Sequence, residues 1–178
     1  MTTRPMPAQL TADILDGHDT VDSDRFREGM SRVAGAVHVV ATRAASGRAG
    51  FTATAVTAVS DHPPSLLVCA NAGSESARSV IEAGIFSVNT LAWDDEPLAS
   101  VFAGRTELRG EARFDDDRWQ TLETGAPILD GALVAFDCRV VSAEIVGTHH
   151  VVIGAVVGVR IGRGGRALVY RDRRFQGV

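Results

Sequence analysis

The sequence has few cysteines, little net charge and no long apolar run. Cys69 and Cys138 are its two cysteines, and each lies in a short apolar stretch. They are too few and too far apart for a zinc site, and we interpret them as buried, reduced thiols rather than as a disulfide. No apolar segment approaches the roughly 20 residues that cross a bilayer, and the amino terminus lacks a signal peptide's apolar core. We therefore expect a cytoplasmic protein with no membrane association.

The composition is that of an ordinary globular chain. Of its 178 residues, 45% are hydrophobic and 22% are charged, which supplies a core and excludes a disordered or collagen-like chain. The formal net charge of −4 has the wrong sign for binding a nucleic-acid backbone, so we expect no nucleic-acid partner. The length fits one domain. We expect residues 1–21 to form a flexible amino-terminal tail and residues 22–178 to form the domain.

Stretches rich in β-branched residues dominate the chain after residue 35. They predict seven strands, at residues 36–43, 48–60, 65–71, 84–91, 132–146, 149–161 and 166–171. Helices are predicted at residues 22–35, 74–84 and 94–104, with a helical turn at 116–124. Because parallel βαβ units would need more helices, the pattern favours a mostly β barrel or sandwich. The last three strands, with a hairpin turn at 162–165, are expected to form an antiparallel meander.

Several local features have both a functional and a plain structural interpretation. Small side chains and hydroxyls at residues 50–60 suit the close approach of a ligand, or an edge strand with solvated threonines. His149 and His150 begin a strand and point to opposite faces, where histidines are usually packed or solvated. Hydroxyls and a guanidinium suit an anion cradle at a helix amino terminus, or an ordinary N-cap, at Ser74, Ser76, Arg78 and Ser79.

Seven segments in a fixed order resemble one known family. They are FREGMSRVAGAVHVVAT, GFTATAVTAVS, PPSLLVCAN, FSVNTL, PLASVFAG, GTHHVVIG and LVYRDRRF. This order and spacing, over about residues 24–175, is similar to the short-chain flavin reductases, the reductase components of two-component flavin monooxygenases. Within that family the chain most resembles the flavin reductases of the pyrimidine-utilisation pathway and the cobalt-corrin reductases.

The resemblance implies a mostly β, split-barrel flavin-binding fold with a few short helices. It also implies a homodimer with the flavin near the subunit interface. The implied activity is hydride transfer from NADH or NADPH to FMN or FAD, with reduced flavin passing to a separate monooxygenase component. Two other functions stay open: a reductase that holds FMN tightly and reduces another acceptor such as a cobalt corrin, and a flavin- or haem-binding split-barrel protein without turnover.

The resemblance also assigns site residues. The segment implied to lie along the flavin ring consists of Ala53, Thr54, Ala55, Val56 and Thr57. Contacts to the ribityl chain and phosphate are implied for Ser60, Asn71, Ser76, Ala77, Arg78 and Ser79. Residues beside the flavin are implied to be Phe102, Gly104 and Arg105, and those near the nicotinamide nucleotide to be His149, Arg173 and Phe175. Because the cofactors themselves carry the redox chemistry, we expect no catalytic side chain and no metal.

Overall fold

The computed structural model describes residues 19–115 and 117–178. Residues 1–18 of the predicted tail lie outside this range, so the tail and its boundary stay predictions. The helices are α1 (Ser23–Ser31), α2 (Glu75–Ala83) and α3 (Glu96–Phe102), with 3-10 turns at Trp93–Asp95 and Gly110–Phe114. No helix in the described part of the chain is long and apolar enough to cross a membrane.

Strands make up most of the regular structure, as the sequence predicts. In chain order they are β1 (Gly35–Ala36), β2 (His38–Ala44), β3 (Gly47–Ala53), β4 (Val56–Asp61), β5 (Pro64–Asn71), β6 (Ile85–Thr90), β7 (Trp119–Gln120), β8 (Ile128–Leu129), β9 (Val134–Val146), β10 (His149–Ile161), β11 (Leu168–Arg171) and β12 (Arg174–Gly177). Seven of them form one antiparallel sheet in the order β3-β2-β6-β9-β10-β5-β4. The sheet β1-β11-β12 and the pair β7-β8 complete the set.

The seven-stranded sheet must curl, because its two edge strands follow each other in the chain. A flat sheet would hold β3 and β4 about 29 Å apart, given roughly 4.8 Å between neighbouring strands. Only Thr54 and Ala55 connect these strands, and this connection spans at most about 11 Å. The edges therefore approach each other without pairing, and Cys69 on β5 donates its backbone N–H to the carbonyl of Ala55 at 3.0 Å. This arrangement is a split barrel, the predicted fold class.

The continuous strand predicted at residues 48–60 is therefore wrong. The chain leaves one sheet edge at Ala53 and joins the other at Val56. The alternating pattern of small and hydroxyl side chains continues through the connection, so the sequence carries no mark of the break. Thr54 and Ala55 lie outside both strands and are exposed.

The predicted three-stranded meander is also wrong in its last member. β9 and β10 pair in antiparallel fashion over most of their length, as predicted. β11, however, pairs with β1 and β12 rather than with β10. Residues 162–165 consequently connect two sheets and do not form a hairpin turn. The sequence prediction had no strand at β12, which closes the second sheet at the carboxyl end of the chain.

Two helix predictions need correction and one is confirmed. α1 is capped by Asp22 and ends at Ser31, short of the predicted end at Gly35, which instead pairs with Tyr170 in β1. The helical turn expected at residues 116–124 contains instead a short strand in which Trp119 pairs with Leu129. α2 ends as predicted at Gly84, which adopts the left-handed conformation (φ +68°) that favours glycine.

The buried core fixes the elements that border the site. Ala77 and Val80 are the buried residues of α2, and Val80 belongs to a cluster that includes Phe86 and Val152. A second cluster includes Phe102 at the end of α3, whose ring makes edge-to-face contacts with two other aromatic rings, Phe114 and Trp119. Both clusters flank β3, so one helix packs on each side of this edge strand.

Candidate functional site

A groove of about 1030 Å³ follows β3 from its start to the split of the barrel. Its floor runs from Ala49 to Ala55, its first wall is the start of α2, and its second wall is formed by residues 102–113. Ligand pockets usually measure about 300–1,000 Å³, so the volume of this groove lies at the upper end of that range. Small floor residues would let a flat ring approach the backbone closely.

The end of the groove at the split brings together residues from two strands and from the connection between β3 and β4. His149 begins β10 and lies opposite Asn71, the last residue of β5. Both line the groove together with Thr54 and Ala55. The Nδ1 atom of His149 lies 2.9 Å from the Thr148 hydroxyl, and the side-chain oxygen of Asn71 accepts the Gly73 backbone N–H at 2.8 Å. These bonds fix the ring and the amide at the groove's end.

The first wall presents hydroxyl groups. The Ser74 hydroxyl caps α2 by accepting the Ala77 N–H at 3.3 Å, and the Ser79 hydroxyl donates to the Glu75 carbonyl at 3.1 Å. Ser76 and Ser79 line the groove, one helical turn apart. The start of α2 therefore combines an ordinary N-cap, Ser74, with two serines, Ser76 and Ser79, that line the groove.

The lining of the groove contains three arginines that the sequence analysis missed. Arg109 and Arg113 lie on or beside the 3-10 turn at Gly110–Phe114, and Arg48 lies near the start of β3. Glu111 accepts the backbone N–H of Arg48 at 2.9 Å and its Nε at 2.5 Å. That backbone hydrogen bond, aided by the guanidinium charge, lowers the pKa of Glu111. In the sequence, the only sign of this cluster is the four-residue spacing of Arg109 and Arg113. The same spacing is equally typical of a solvated loop.

Nine of the predicted flavin and nicotinamide residues line the groove. They are Ala53, Thr54, Ala55, Asn71, Ser76, Ser79, Phe102, Gly104 and His149. They come from three strands, two helices and two connections, so the fold brings together residues that are up to about a hundred positions apart. His150, on the opposite face of β10, does not line the groove.

Five predicted flavin residues lie elsewhere. Val56, Thr57 and Ser60 belong to β4, beyond the split, and the Ser60 hydroxyl accepts the His62 N–H at 3.0 Å. Ala77 and Arg78 are residues of α2 that do not line the groove. Ala77 is buried, whereas Arg78 is exposed. The helical period explains both, because residues next to each other on a helix face different directions.

The three remaining residues form contacts at the second sheet. Arg105 lies over the ring of Phe175, with 5.0 Å from the guanidinium carbon to the ring centroid, and Phe175 itself packs against Tyr170. Arg173 donates to Glu28 on α1 at 3.0 Å. None of the three lines the groove, although Arg105 directly follows Gly104, which does.

Two titratable groups of the core are held in their neutral forms. Burial lowers the pKa of His38 to about 4, and its Nδ1 lies 3.0 Å from the Thr90 hydroxyl. Burial, with the nearby Asp137 carboxylate, raises the pKa of the Cys138 thiol to about 12. Both cysteines are free thiols; Cys138 is buried as predicted, whereas Cys69 is half-buried and lines the groove.

The groove thus offers shape, hydrogen bonds and positive charge. Its floor suits a planar ring, its hydroxyl and guanidinium walls suit ribose and phosphate, and His149 is the one imidazole among the lining residues that the structure describes. Across the described residues, no cluster of histidine, cysteine or acidic side chains is placed to hold a metal ion. Such a site suits chemistry carried by bound nucleotides.

Comparisons with known proteins agree with this geometry. The family described as "flavin reductase like domain" matches residues 30–178. The chain is 48% identical over 158 residues to the FMN reductase (NADH) RutF of Ancylobacter novellus, covering 89% of this chain and 86% of that one. A crystal structure of a putative flavin reductase from Haemophilus somnus superposes with a TM-score of 0.84 at 39% identity, covering 89% of this chain and all of that one. BorF, the flavin reductase component of a bacterial two-component tryptophan halogenase, superposes at 0.82 with 34% identity, covering 88% and 98%. The chain therefore belongs to the flavin reductase-like domain family, as the order of its motifs predicts.

Proposed function

We propose that this protein is an NADH-dependent flavin reductase that uses FMN and supplies reduced flavin to a separate oxygenase. The observation that carries the proposal is the meeting of His149, Thr54 and Ala55 at one end of a groove of about 1030 Å³. The relative from Ancylobacter novellus is an FMN reductase that uses NADH, and BorF serves a two-component halogenase. FAD and NADPH are further substrates that the proposal allows.

In this proposal, the described residues bind and orient the two nucleotides. The hydride transfer itself is chemistry that the nicotinamide and the flavin supply when bound. Thr54 and Ala55 offer a flat, exposed surface to the flavin ring, and Asn71, Ser76 and Ser79 offer hydrogen bonds to its polar chain. His149 borders the same space and contacts the nicotinamide. Holding the nicotinamide and flavin rings close together and correctly oriented supplies much of the rate acceleration in such a reaction, because it removes the entropy cost of their encounter.

Anaerobic mixing tests the proposed activity. With FMN in excess over the protein and NADH in excess over FMN, the visible absorbance of the flavin is expected to disappear over many catalytic cycles. One NADH is expected to be oxidised for each FMN that is reduced. Ultrafiltration after the reaction measures whether the reduced flavin leaves the protein. FMN that binds but keeps its colour would contradict the proposal and favour a binding protein without turnover. Reduced flavin that stays in the retained fraction would contradict the proposed supply of flavin to an oxygenase.

We also propose a homodimer. Apolar side chains are exposed on β9 and β10, among them Val141 at 64%, Val159 at 50% and Ile161 at 82%. Covering such a surface with a second copy would remove it from water. Sedimentation at micromolar concentration is expected to show a dimer. A fully active monomer would contradict the proposal.

We also propose that the protein is located in the cytoplasm. The free thiols of Cys69 and Cys138 support it, because proteins of reducing compartments keep their cysteines unpaired. Cell fractionation with an antibody to the protein tests this location. Recovery in a secreted or membrane fraction would contradict it.

A further inference from the structure

We propose that Arg109 and Arg113 form a phosphate-binding subsite in the second wall of the groove, for the phosphate of a nucleotide whose ring lies at the His149 end. This inference rests on the proposed function and deepens it, because it names residues that recognise one of the two nucleotides. Neither arginine belongs to the motifs that carry the family resemblance.

Backbone carbonyls rather than carboxylates are the partners of these two arginines among the described residues. Arg109 donates to the carbonyl oxygens of Thr106 and Leu108, the latter at 2.8 Å. Arg113 donates its Nε to the Leu108 carbonyl at 3.2 Å, and its terminal nitrogen lies 3.5 Å from the Gly50 carbonyl. Among the described residues, no acidic side chain forms an ion pair with either one. Neutral carbonyls therefore orient both guanidinium groups and leave their positive charge available to an anion.

Arg48, the third arginine that lines the groove, is in a different state. Glu111 neutralises it through the ion pair described above, and its guanidinium also lies 5.0 Å from the centre of the Phe114 ring. The Glu111 carboxylate is thereby occupied on the Arg48 side. We assign Arg48 a positioning role, since it ties the start of β3 to the turn that carries the other two arginines.

The position of the pair fits one end of a nucleotide. Arg113 reaches the carbonyl of Gly50, in the middle of β3, and Thr54 lies four residues further along the same floor. At roughly 3.3 Å per strand residue, this places the guanidinium wall about 13 Å from the ring end of the groove. A nucleotide can extend over this length from its ring to its phosphate. The chain has 18 arginines and no lysine. A guanidinium group can bind two oxygens of one phosphate at the same time, through two parallel hydrogen bonds.

Two nucleotides could supply the phosphate, the flavin mononucleotide and the pyrophosphate of the nicotinamide dinucleotide. Phosphate-free analogues distinguish them. FMN is compared with riboflavin in equilibrium binding, measured by the quenching of flavin fluorescence. NADH is compared with N-benzyl dihydronicotinamide, which keeps the reacting ring, in steady-state reduction of flavin.

The variants are Arg109→Gln, Arg113→Gln and the double substitution. Arg163→Gln is the matched control, because Arg163 is exposed in the loop at 162–165 and does not line the groove. Loss of a charge-assisted hydrogen bond is expected to weaken the phosphate-bearing ligand about tenfold to a hundredfold. Riboflavin and the benzyl analogue are expected to keep their wild-type values, and thermal melting of each variant reports its folding.

A rise in the FMN dissociation constant or in the KM for NADH, with the analogues unchanged, supports the subsite and identifies its nucleotide. Variants that match Arg163→Gln with all four ligands overturn it. Equal losses for phosphate-bearing and phosphate-free ligands also overturn it, because they indicate a structural role. The wild-type protein separates this inference from the proposed function. If it does not reduce flavin with NADH, the proposed function fails, whereas normal wild-type turnover with unaffected variants removes the subsite alone.

Discussion

Asn71 and His149 lie directly opposite each other, as the last and first residues of the paired strands β5 and β10. The connection between β3 and β4 passes the same end of the sheet, since Thr54 and Ala55 line the groove with them. The split of the barrel and the end of the groove are thus one place. Because two sheet edges stay unpaired there, ligands have access to exposed backbone groups. In a closed barrel, the same groups would form hydrogen bonds between neighbouring strands.

Replacement of His149 by alanine is expected to affect the hydride donor more than the flavin. One neutral hydrogen bond is worth about 0.5–1.5 kcal/mol, so the KM for NADH should rise severalfold while the FMN dissociation constant stays unchanged. Steady-state kinetics and flavin fluorescence titration measure the two quantities. His150→Ala is the control, because His150 does not line the groove. A silent His149→Ala variant with a damaged His150→Ala variant would reverse the assignment of the two faces.

Replacement of Thr54 by isoleucine is expected to weaken flavin binding and leave the fold intact. Thr54 is exposed and lines the groove, so the ethyl group that replaces its hydroxyl would project into space that the ring needs. The same exposure means that the core does not have to accommodate it. Fluorescence titration with FMN measures the loss, and thermal melting measures the stability. A well-folded variant with wild-type FMN affinity would show that the ring lies elsewhere.

Replacement of Gly50 by alanine is expected to lower the free energy of unfolding by about 1–3 kcal/mol, the usual cost of overpacking. An added Cβ would lie 2.9 Å from both the Phe102 ring and the backbone carbonyl of Val40. Denaturant titration measures the change. Gly29→Ala in α1 is the control: its Cβ would meet no atom within 4 Å, and alanine favours a helix over glycine by up to about 1 kcal/mol. Equal stability of the two variants would contradict the close packing of α3 on β3.

The stability of the protein is expected to fall on acidification from about pH 6.5 to about pH 4. Burial holds the pKa of His38 at about 4, below its ordinary value of 6.5. The unfolded chain therefore binds the proton first as the pH falls, and the contribution of neutral His38 is complete above pH 6.5 and lost towards pH 4. Full loss corresponds to roughly 3 kcal/mol, from 1.36 kcal/mol for each pKa unit. Urea titrations at several pH values measure this slope. His38→Gln is expected to flatten it, and an unchanged slope would contradict the role of His38.

Much of the secondary structure could be predicted from the sequence, because it depends on neighbours along the chain. The caps at Asp22 and Gly84 and the long strands β9 and β10 follow from local residue types and from the alternation of side chains. The order of the short motifs pointed to the family before any geometry was known. Those motifs assign Thr54, Asn71 and His149 to the site, and all three line the groove.

The tertiary structure decided which strands pair and which charges face the groove. Alternation marks a strand but not its partner, so neither the break at Thr54 and Ala55 nor the second sheet around β11 could be predicted. The arginines of residues 105–113 look alike in a charged segment. Packing against Phe175 takes Arg105 to the second sheet, whereas the carbonyls of Leu108 and Gly50 turn Arg113 to the groove. Contacts between distant parts of the chain make that distinction, because local sequence does not specify which carbonyl or ring a long side chain meets.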